Sequence, residues 1–268
     1  MTSHFRSPRS RITSNPNSVV YEQSPRWIRG YHKETKIVDS KRAYLVWEGT
    51  SLIPFWAFPT SDVVGLVESD TVNGGRDGDR DQWFHVKTET ETVNDVAWRF
   101  KKETPGFVPE AEDLVVFDFT KLSKWLEDDE VAFGHPRSPY SRIDVRLSSR
   151  HVKVEIDGVV VAETTSALFV YENGHPTRYY INAVDVKALS QFTPSDYKSA
   201  CPYKGIASYF TATINGQEYP NIAWTYLDPV PGIERIQGRW SFWNEKLDII
   251  VDGEKLPRPT PYIVHTSP

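Results

Sequence analysis

A single cysteine, Cys201, stands in 268 residues, which excludes an intramolecular disulfide and a cysteine-rich zinc site. Long apolar runs are missing too; none approaches the roughly 18–20 residues that a membrane-spanning helix needs. There is no Asn-x-Ser/Thr glycosylation acceptor and no apolar leader at the start. With a lone thiol, these absences point to a reducing, cytoplasmic compartment and to no membrane partner. Excess positive charge is also lacking: 31 Lys and Arg against 36 Asp and Glu leave a net charge of −5. Only short basic clusters occur, so nucleic acid is not the expected partner.

Several catalytic signatures are absent as well. There is no glycine-rich phosphate loop ending in Lys-Ser or Lys-Thr, no Gly-x-Ser-x-Gly elbow and no His-Glu-x-x-His zinc helix. Asp77, Asp79 and Asp81 have the odd spacing that opens a calcium loop, but Gln82 replaces the required Gly and Thr88 the required Glu. The acidic stretch DGDRD therefore reads as a solvated loop. On this reading no metal and no cofactor is expected.

What the chain has in abundance is rings. Aromatics make up 13% of it, with nine Trp, thirteen Tyr and thirteen Phe. Rings build cores, and those with polar tips also suit pocket walls. The main organisational signal is an internal repeat. IVDSKRAYLVWE (37–48) resembles VAETTSALFVYE (161–172), with Glu48 over Glu172 at an offset of 124. PFWAFPTSDV (54–63) resembles TRYYINAVDV (177–186), with Asp62 over Asp185 at 123. NDVAW (94–98) matches PNIAW (220–224) at 126. A period this long means domain duplication, since solenoid repeats are much shorter.

Each copy reads as short strands punctuated by Pro and Gly. HVKVEIDGVVVAE alternates apolar and polar residues around Asp157-Gly158, a strong hairpin signal, and Asn215-Gly216 is a second one. DVKALSQ looks like a short helical piece, and TKLSKWLEDDEV in the first copy looks helical with Thr120 as N-cap. The expected fold is mainly β with short helices: two tandem compact domains of one fold, arranged as a sandwich, a barrel or a β-tent. Residues 1–21 read as a disordered tail, 22–145 as the first domain, 146–257 as the second and 258–268 as a C-terminal tail. Residues 1–21 hold no acidic residue, so a mitochondrial leader is the alternative, although Pro8 and Pro16 would break its helix.

Three places could carry chemistry. HPRSPYSR, at the joint between copies, gathers His135, Arg137, Tyr140 and Arg142. These residues could bind an anion or polarise a carbonyl. The bland alternative is a Pro-stiffened linker whose Arg residues pair with EDDE (127–130). CPYKG carries Cys201, a nucleophile if a base lowers its pKa, and Lys204, a proton donor or Schiff-base former if desolvated. The alternative is a buried thiol before a Pro-shaped turn. Finally, Tyr171, Tyr179, Tyr180, Tyr203, Tyr209, Trp224 and Tyr226 could wall a concave pocket or simply fill the core. Tyr179 and Tyr180 face opposite sides if they share a strand, so at most one lines a given pocket.

RYYINAVDV, CPYKGIASYF and NIAWTYLDPVPGIERIQGRWSFW occur in the order that resembles the domain-of-unknown-function family numbered 427, over residues 160–254. LVWE, FWAFPTSDV, DVAW and FDFTKLSKWLEDDEVAFGHPRSPYSRIDV resemble it more faintly in the first copy. Together they look like the tandem form of that family, although the first copy lacks the Cys-Pro-x-Lys-Gly block. The resemblance implies compact, mainly β domains and no established activity. A nucleotidyltransferase label is also attached to the family. The chain lacks the Gly-Ser and Asp-x-Asp that would hold two metals for that chemistry, which discounts the label.

The leading expectation is a pocket for a small organic molecule in the second copy, lined by Tyr179 or Tyr180 with Cys201, Tyr209, Trp224 and Tyr226. Its chemistry would be metal-free acid–base catalysis of an isomerase, cyclase or lyase type. Tyr203 or Lys204 would donate the proton and His135 would act as base. The residues leave open whether the pocket catalyses at all. A non-catalytic protein-interaction module is the second expectation. A nucleotide binder, needing a basic concavity near Arg137, Arg142 and Lys204, is the third.

Overall fold

The computed structural model describes residues 15–69 and 81–260. Most of the N-terminal tail, most of the DGDRD stretch and the last eight residues fall outside them. The chain divides between Tyr140 and Ser141 into two compact units. Every long element is a strand; the helical elements among the described residues are three-residue 3-10 turns. None of them is long and apolar enough to cross a membrane.

The first unit has eleven strands among the described residues: β1 (Val19–Gln23), β2 (Ile28–His32), β3 (Thr35–Ser40), β4 (Tyr44–Glu48), β5 (Phe55–Pro59), β6 (Leu66–Glu68), β7 (Asp81–Lys87), β8 (Thr92–Phe100), β9 (Leu114–Phe117), β10 (Lys124–Glu127) and β11 (Glu130–Ala132). β1 begins inside the stretch read as tail. Seven strands form one antiparallel sheet in the order β1-β4-β5-β9-β8-β7-β6, and four form another, β11-β10-β2-β3.

The second unit repeats this strand by strand: β12 (Ile143–Leu147), β13 (Val152–Ile156), β14 (Val159–Thr164), β15 (Leu168–Glu172), β16 (Arg178–Tyr180), β17 (Phe192–Cys201), β18 (Gly205–Ile214), β19 (Gln217–Pro229), β20 (Trp240–Phe242), β21 (Asp248–Val251) and β22 (Glu254–Lys255). Its four-stranded sheet runs β14-β13-β21-β22. Sheets β12-β15-β16 and β17-β18-β19-β20 are joined by the Ile181–Trp240 bridge, whose two N–H···O bonds are both 2.8 Å. With that bridge, the long order β12-β15-β16-β20-β19-β18-β17 equals that of the first unit.

The duplication extends to single hydrogen bonds. Ser40 Oγ donates to Asp62 at 2.7 Å, and Thr164 Oγ1 donates to Asp185 at 2.7 Å. Asp95 N–H donates to His85, and Asn221 N–H to Thr211, each at a strand bulge with positive φ. The Asp157-Gly158 and Asn215-Gly216 turns have both central residues at positive φ, which is what a two-residue hairpin requires.

In each unit the two sheets pack face to face around one core. In the second, Val152, Val154, Ile249 and Val251 of the small sheet meet Phe169, Ile181, Ile222 and Trp240 of the large one. Each such side chain contributes about 1.5–3 kcal/mol through burial. None of the sheets closes into a barrel. The large sheet also buries part of its second face, under Ile233 and Ile236 in the second unit and under Ala111 and Phe107 in the first.

The helix expected over 120–131 is absent. A 3-10 turn, Phe119–Lys121, is capped by Asp118, whose Oδ1 accepts from Thr120 N–H at 2.9 Å, and strands β10 and β11 follow. Tertiary packing overrides local propensity here. The Trp125 ring packs against Gly30 of β2, where a Cβ would stand 2.5 Å from the ring, and its indole N–H donates to Phe119 O at 2.9 Å. Only an extended segment presents Trp125 to that gap.

Candidate functional site

Alternation along β18 and β19 turns Tyr209, Trp224 and Tyr226 toward the second face of the large sheet. Tyr209 lies opposite Trp224, and Trp224 opposite Ser241. Continuing the register through the Ile181–Trp240 bridge places Tyr180 beside Ser241. Tyr180, Ser241, Trp224 and Tyr209 therefore form one row across four strands, with Tyr226 two residues along β19.

At these four places the first unit carries no hydroxyl, although Tyr44 continues the row beside Ala57. There Ala57 pairs with Val116, Val116 with Trp98, and Trp98 with Trp83, while Phe100 holds the place of Tyr226. The second unit thus carries four hydroxyls where the first carries hydrocarbon or indole: Tyr180 for Ala57, Ser241 for Val116, Tyr209 for Trp83 and Tyr226 for Phe100.

Two of these hydroxyls are satisfied. Tyr180 accepts from the Trp224 indole N–H at 3.3 Å, and Tyr209 shares a 2.8 Å bond with Ser199. The Tyr226 hydroxyl and the fully buried Ser241 Oγ have no hydrogen-bond partner among the described residues. Burial pushes the Tyr180 phenol up to about 12, and it raises Tyr226 and Tyr209 as well. All three are neutral donors at ordinary pH.

The turn Cys201–Lys204 sits at one end of this face, closed by Lys204 N–H to Cys201 O at 3.1 Å. Gly205 follows at φ +113°, where a Cβ would meet Asp228 O at 2.9 Å, so only glycine lets the two strands close. The Lys204 ammonium meets Glu172 Oε2, and the two side chains are only 13% and 11% exposed. Burial pushes Lys204 down, but the Cys201 sulfur and Glu172 outweigh it, so its pKa lies above the usual lysine value. It is a cationic donor and not a free amine nucleophile. Burial also raises the Cys201 thiol, against the pull of Lys204 and the Tyr203 and Lys204 amides. A protonated thiol is a poor nucleophile.

A second ion pair stands close by. Arg178 donates to both carboxylate oxygens of Glu245 at 2.7 and 2.6 Å and also to Asn244 Oδ1. Its guanidinium lies over the rings of Trp224 and Trp243, at 5.6 and 5.1 Å. His175 feels the charges of both pairs. Its side chain is exposed to solvent, yet the groups crowded around it lower its pKa, chiefly by desolvation, with Glu172 opposing and Lys204 and Arg178 adding to the fall.

The sequence candidates are thus divided. Tyr180, Tyr209, Trp224 and Tyr226 share the second face, with Cys201 and Lys204 within electrostatic reach and Tyr203 on the same turn. Tyr179 lies on the opposite face, edge-on to Phe169 at 4.8 Å, and lines a cavity of about 200 Å³ with Pro176, Ile249 and Pro257. Tyr171 is exposed. His135 belongs to the first unit, where its Nδ1 lies 2.8 Å from Pro136 O. Arg137 lines a cavity of about 150 Å³ there, with Glu22, Arg26 and Glu127. Arg142, in the second unit, pairs with Asp144 at 3.0 Å and not with the 127–130 carboxylates, two of which hold Arg26 and Arg29 instead.

Sequence reading missed Glu172, His175, Arg178, Ser241, Trp243 and Glu245. The repeat offered a signal only for Glu172, by aligning it on Glu48. No group of three or more His, Cys, Asp or Glu among the described residues is placed to hold a metal ion.

A family model described as a domain of unknown function, DUF427, matches the chain twice, over residues 20–128 and 144–253. No curated protein matches it.

Proposed function

Because the chain belongs to the DUF427 family, carrying its domain twice, and the second copy bears hydroxyls at four places of this face where the first has hydrocarbon or indole, we propose that this copy binds a small organic molecule there. The observation that carries the reading is the paired substitution of Tyr180, Ser241, Tyr209 and Tyr226 for Ala57, Val116, Trp83 and Phe100. Buried hydroxyls cost stability unless they are used. Ser241 Oγ is buried with no partner inside the described fold, and a ligand oxygen or nitrogen would supply one.

The chemistry suited to this site is acid–base. Lys204 is the charged donor, Tyr203 a neutral one on the same turn, and His175, held neutral, the base. His175 takes the role expected of His135 because it feels the charges of both ion pairs of this unit. Cys201 supports the turn.

Native mass spectrometry of the full chain after exposure to metabolite extracts tests the reading. A bound compound is expected with wild type, and Tyr226→Phe, which removes one oxygen, should weaken its capture. Capture unchanged in Tyr226→Phe, Tyr203→Phe and Lys204→Ala would place the ligand elsewhere. No captured compound would end the proposal.

A second reading, an interaction module, draws on Ile206 and Leu227. These apolar side chains on adjacent strands are 43% and 62% exposed. A third, nucleotide binding, has less support, because Lys204 and Arg142 are each held by a carboxylate.

A further inference from the structure

One end of each sandwich is built on the same places. In the first unit Leu45 lies opposite both Trp56 and Glu22; in the second Phe169 lies opposite both Tyr179 and Arg146. Trp47 and Tyr171 follow two positions along their strands. In each unit the chain leaving the last hairpin of the small sheet passes over this end. There Arg137 and Pro139 line a cavity with Trp56 in the first unit, and Pro257 and Pro259 line one with Tyr179 in the second.

In the first unit this segment covers the end. The Tyr140 ring packs on Trp47 with centroids 6.1 Å apart, and its hydroxyl donates to the Glu22 carboxylate at 2.7 Å. Ser138 Oγ accepts from Tyr140 N–H at 3.3 Å and shapes the turn. Under this cover Trp47 is 4% exposed, whereas Tyr171, at the same place in the second unit, is 46% exposed. Neither the Tyr171 hydroxyl nor Arg146 has a hydrogen-bond partner among the described residues.

The sequence of the covering segment recurs: Thr260-Pro261-Tyr262 matches Ser138-Pro139-Tyr140. Register places it. Gly30 pairs with Trp125 as Val154 pairs with Ile249. Trp125 faces Ala132, and Leu256 N–H donates to Ile249 O at 2.8 Å, so Leu256 holds the place of Ala132. Tyr262 stands six positions beyond it, against eight for Tyr140. The first unit takes up the difference in a turn at Gly134, φ +78°, where His135 N–H donates to Phe133 O at 3.0 Å. Pro257-Arg258-Pro259 has no such turn, and the Arg258 guanidinium holds it to Asp248 of β21 at 2.9 and 3.1 Å.

We propose that Thr260-Pro261-Tyr262 is a strap for the second unit, with the Tyr262 ring on Tyr171, its hydroxyl on Arg146 and the cavity beside Tyr179 closed beneath it. A phenol hydroxyl both donates and accepts. That of Tyr140 donates to a carboxylate, and that of Tyr262 accepts from a guanidinium, so the change of Glu22 to Arg146 reverses the bond without removing it. Pro261 fixes its own φ, which reduces the freedom lost on docking.

The test compares acetylation of Tyr171 and Tyr197 by N-acetylimidazole on the full chain, located by peptide mass spectrometry. Tyr197, 53% exposed on β17, is the reference. Wild-type Tyr171 is expected to react about tenfold or more slowly than Tyr197, as a site does that reacts only when its cover opens. Tyr262→Ala should bring the two rates together. Arg146→Leu should raise the Tyr171 rate, while Arg146→Glu, which restores the carboxylate of the first copy, should keep it low. Dilution from about 100 µM to about 1 µM should leave the ratio unchanged, because a tethered segment acts at millimolar effective concentration.

Equal rates at Tyr171 and Tyr197 in wild type overturn the proposal, and so does protection that survives Tyr262→Ala. Protection lost on dilution overturns it too, by assigning the cover to a second copy of the chain. Should Tyr262→Ala not fold, the Arg146 variants decide: the same Tyr171 rate with Leu as with Glu rejects the strap.

Discussion

The Trp224 indole N–H donates to the Tyr180 hydroxyl at 3.3 Å, in a place where both rings are buried. The two residues are 44 positions apart in sequence, on strands separated by β20. In the first unit the same two places hold Trp98 and Ala57, so this bond belongs to the second copy alone. Tyr180→Phe leaves the Trp224 N–H buried without an acceptor. The expected loss is about 1–3 kcal/mol, read from the urea unfolding midpoint. An unchanged midpoint would mean that water reaches the indole.

Arg178 is the best-held charge in the second unit, bound twice to Glu245 and stacked on two tryptophans. Arg178→Met keeps much of the apolar stem but strands Glu245, itself only 7% exposed. The cost should be roughly 3–5 kcal/mol in thermal or urea unfolding. The double variant Arg178→Met/Glu245→Gln should recover part of it, because the stranded charge is then gone. No recovery would assign the loss to stacking on Trp224 and Trp243.

His175 sets a pH dependence whose sign is fixed by its environment. Its folded pKa lies below the ordinary 6.5, chiefly through burial. Below about pH 6.5 the unfolded chain therefore takes up the proton first. Wild type should lose stability as pH falls from 7 toward 5, and His175→Gln should lose less over the same interval. Urea midpoints at pH 7, 6 and 5 compare the two directly. Parallel curves would show that His175 titrates as it does in the unfolded chain.

Gly205 fixes the turn that presents Lys204. At φ +113°, with Asp228 O in the path of a Cβ, Gly205→Ala should cost roughly 1–3 kcal/mol. It should also weaken ligand capture beyond that loss, because Lys204 is the preceding residue. Gly158→Ala, at φ +75° with nothing near its Cβ, is the matched control for backbone strain alone. Equal effects of the two on capture would detach the turn from the site.

Three of the four hydroxyls can be removed together. Tyr209→Phe, Tyr226→Phe and Ser241→Ala take away oxygens that the first unit lacks at the same places. Tyr226→Phe and Ser241→Ala should be neutral or stabilising by up to about 1 kcal/mol, since each removes an oxygen without a partner. Tyr209→Phe should cost about 1 kcal/mol through loss of the Ser199 bond. A marked loss in the first two would reveal a partner within the fold.

Strand content, the duplication and the hairpin turns were fixed by the order of residues alone. Alternation, Asp-Gly and Asn-Gly pairs and a steady offset are local or periodic, and local rules determine them. The same alternation put Tyr179 and Tyr180 on opposite faces, as the structure has them. Trp125 was misread because its segment has helical spacing, while its actual partner, Gly30, lies 95 positions upstream. Only tertiary packing could decide that contest. The ion pairs show the same limit: Glu172 meets Lys204 across 32 positions and Arg178 meets Glu245 across 67. A charged residue in a strand looks solvated until the chain folds another charge against it. Which tyrosines keep an unused hydroxyl also depended on the neighbouring strands, since hydrogen bonding is settled by distance in space and not by order along the chain.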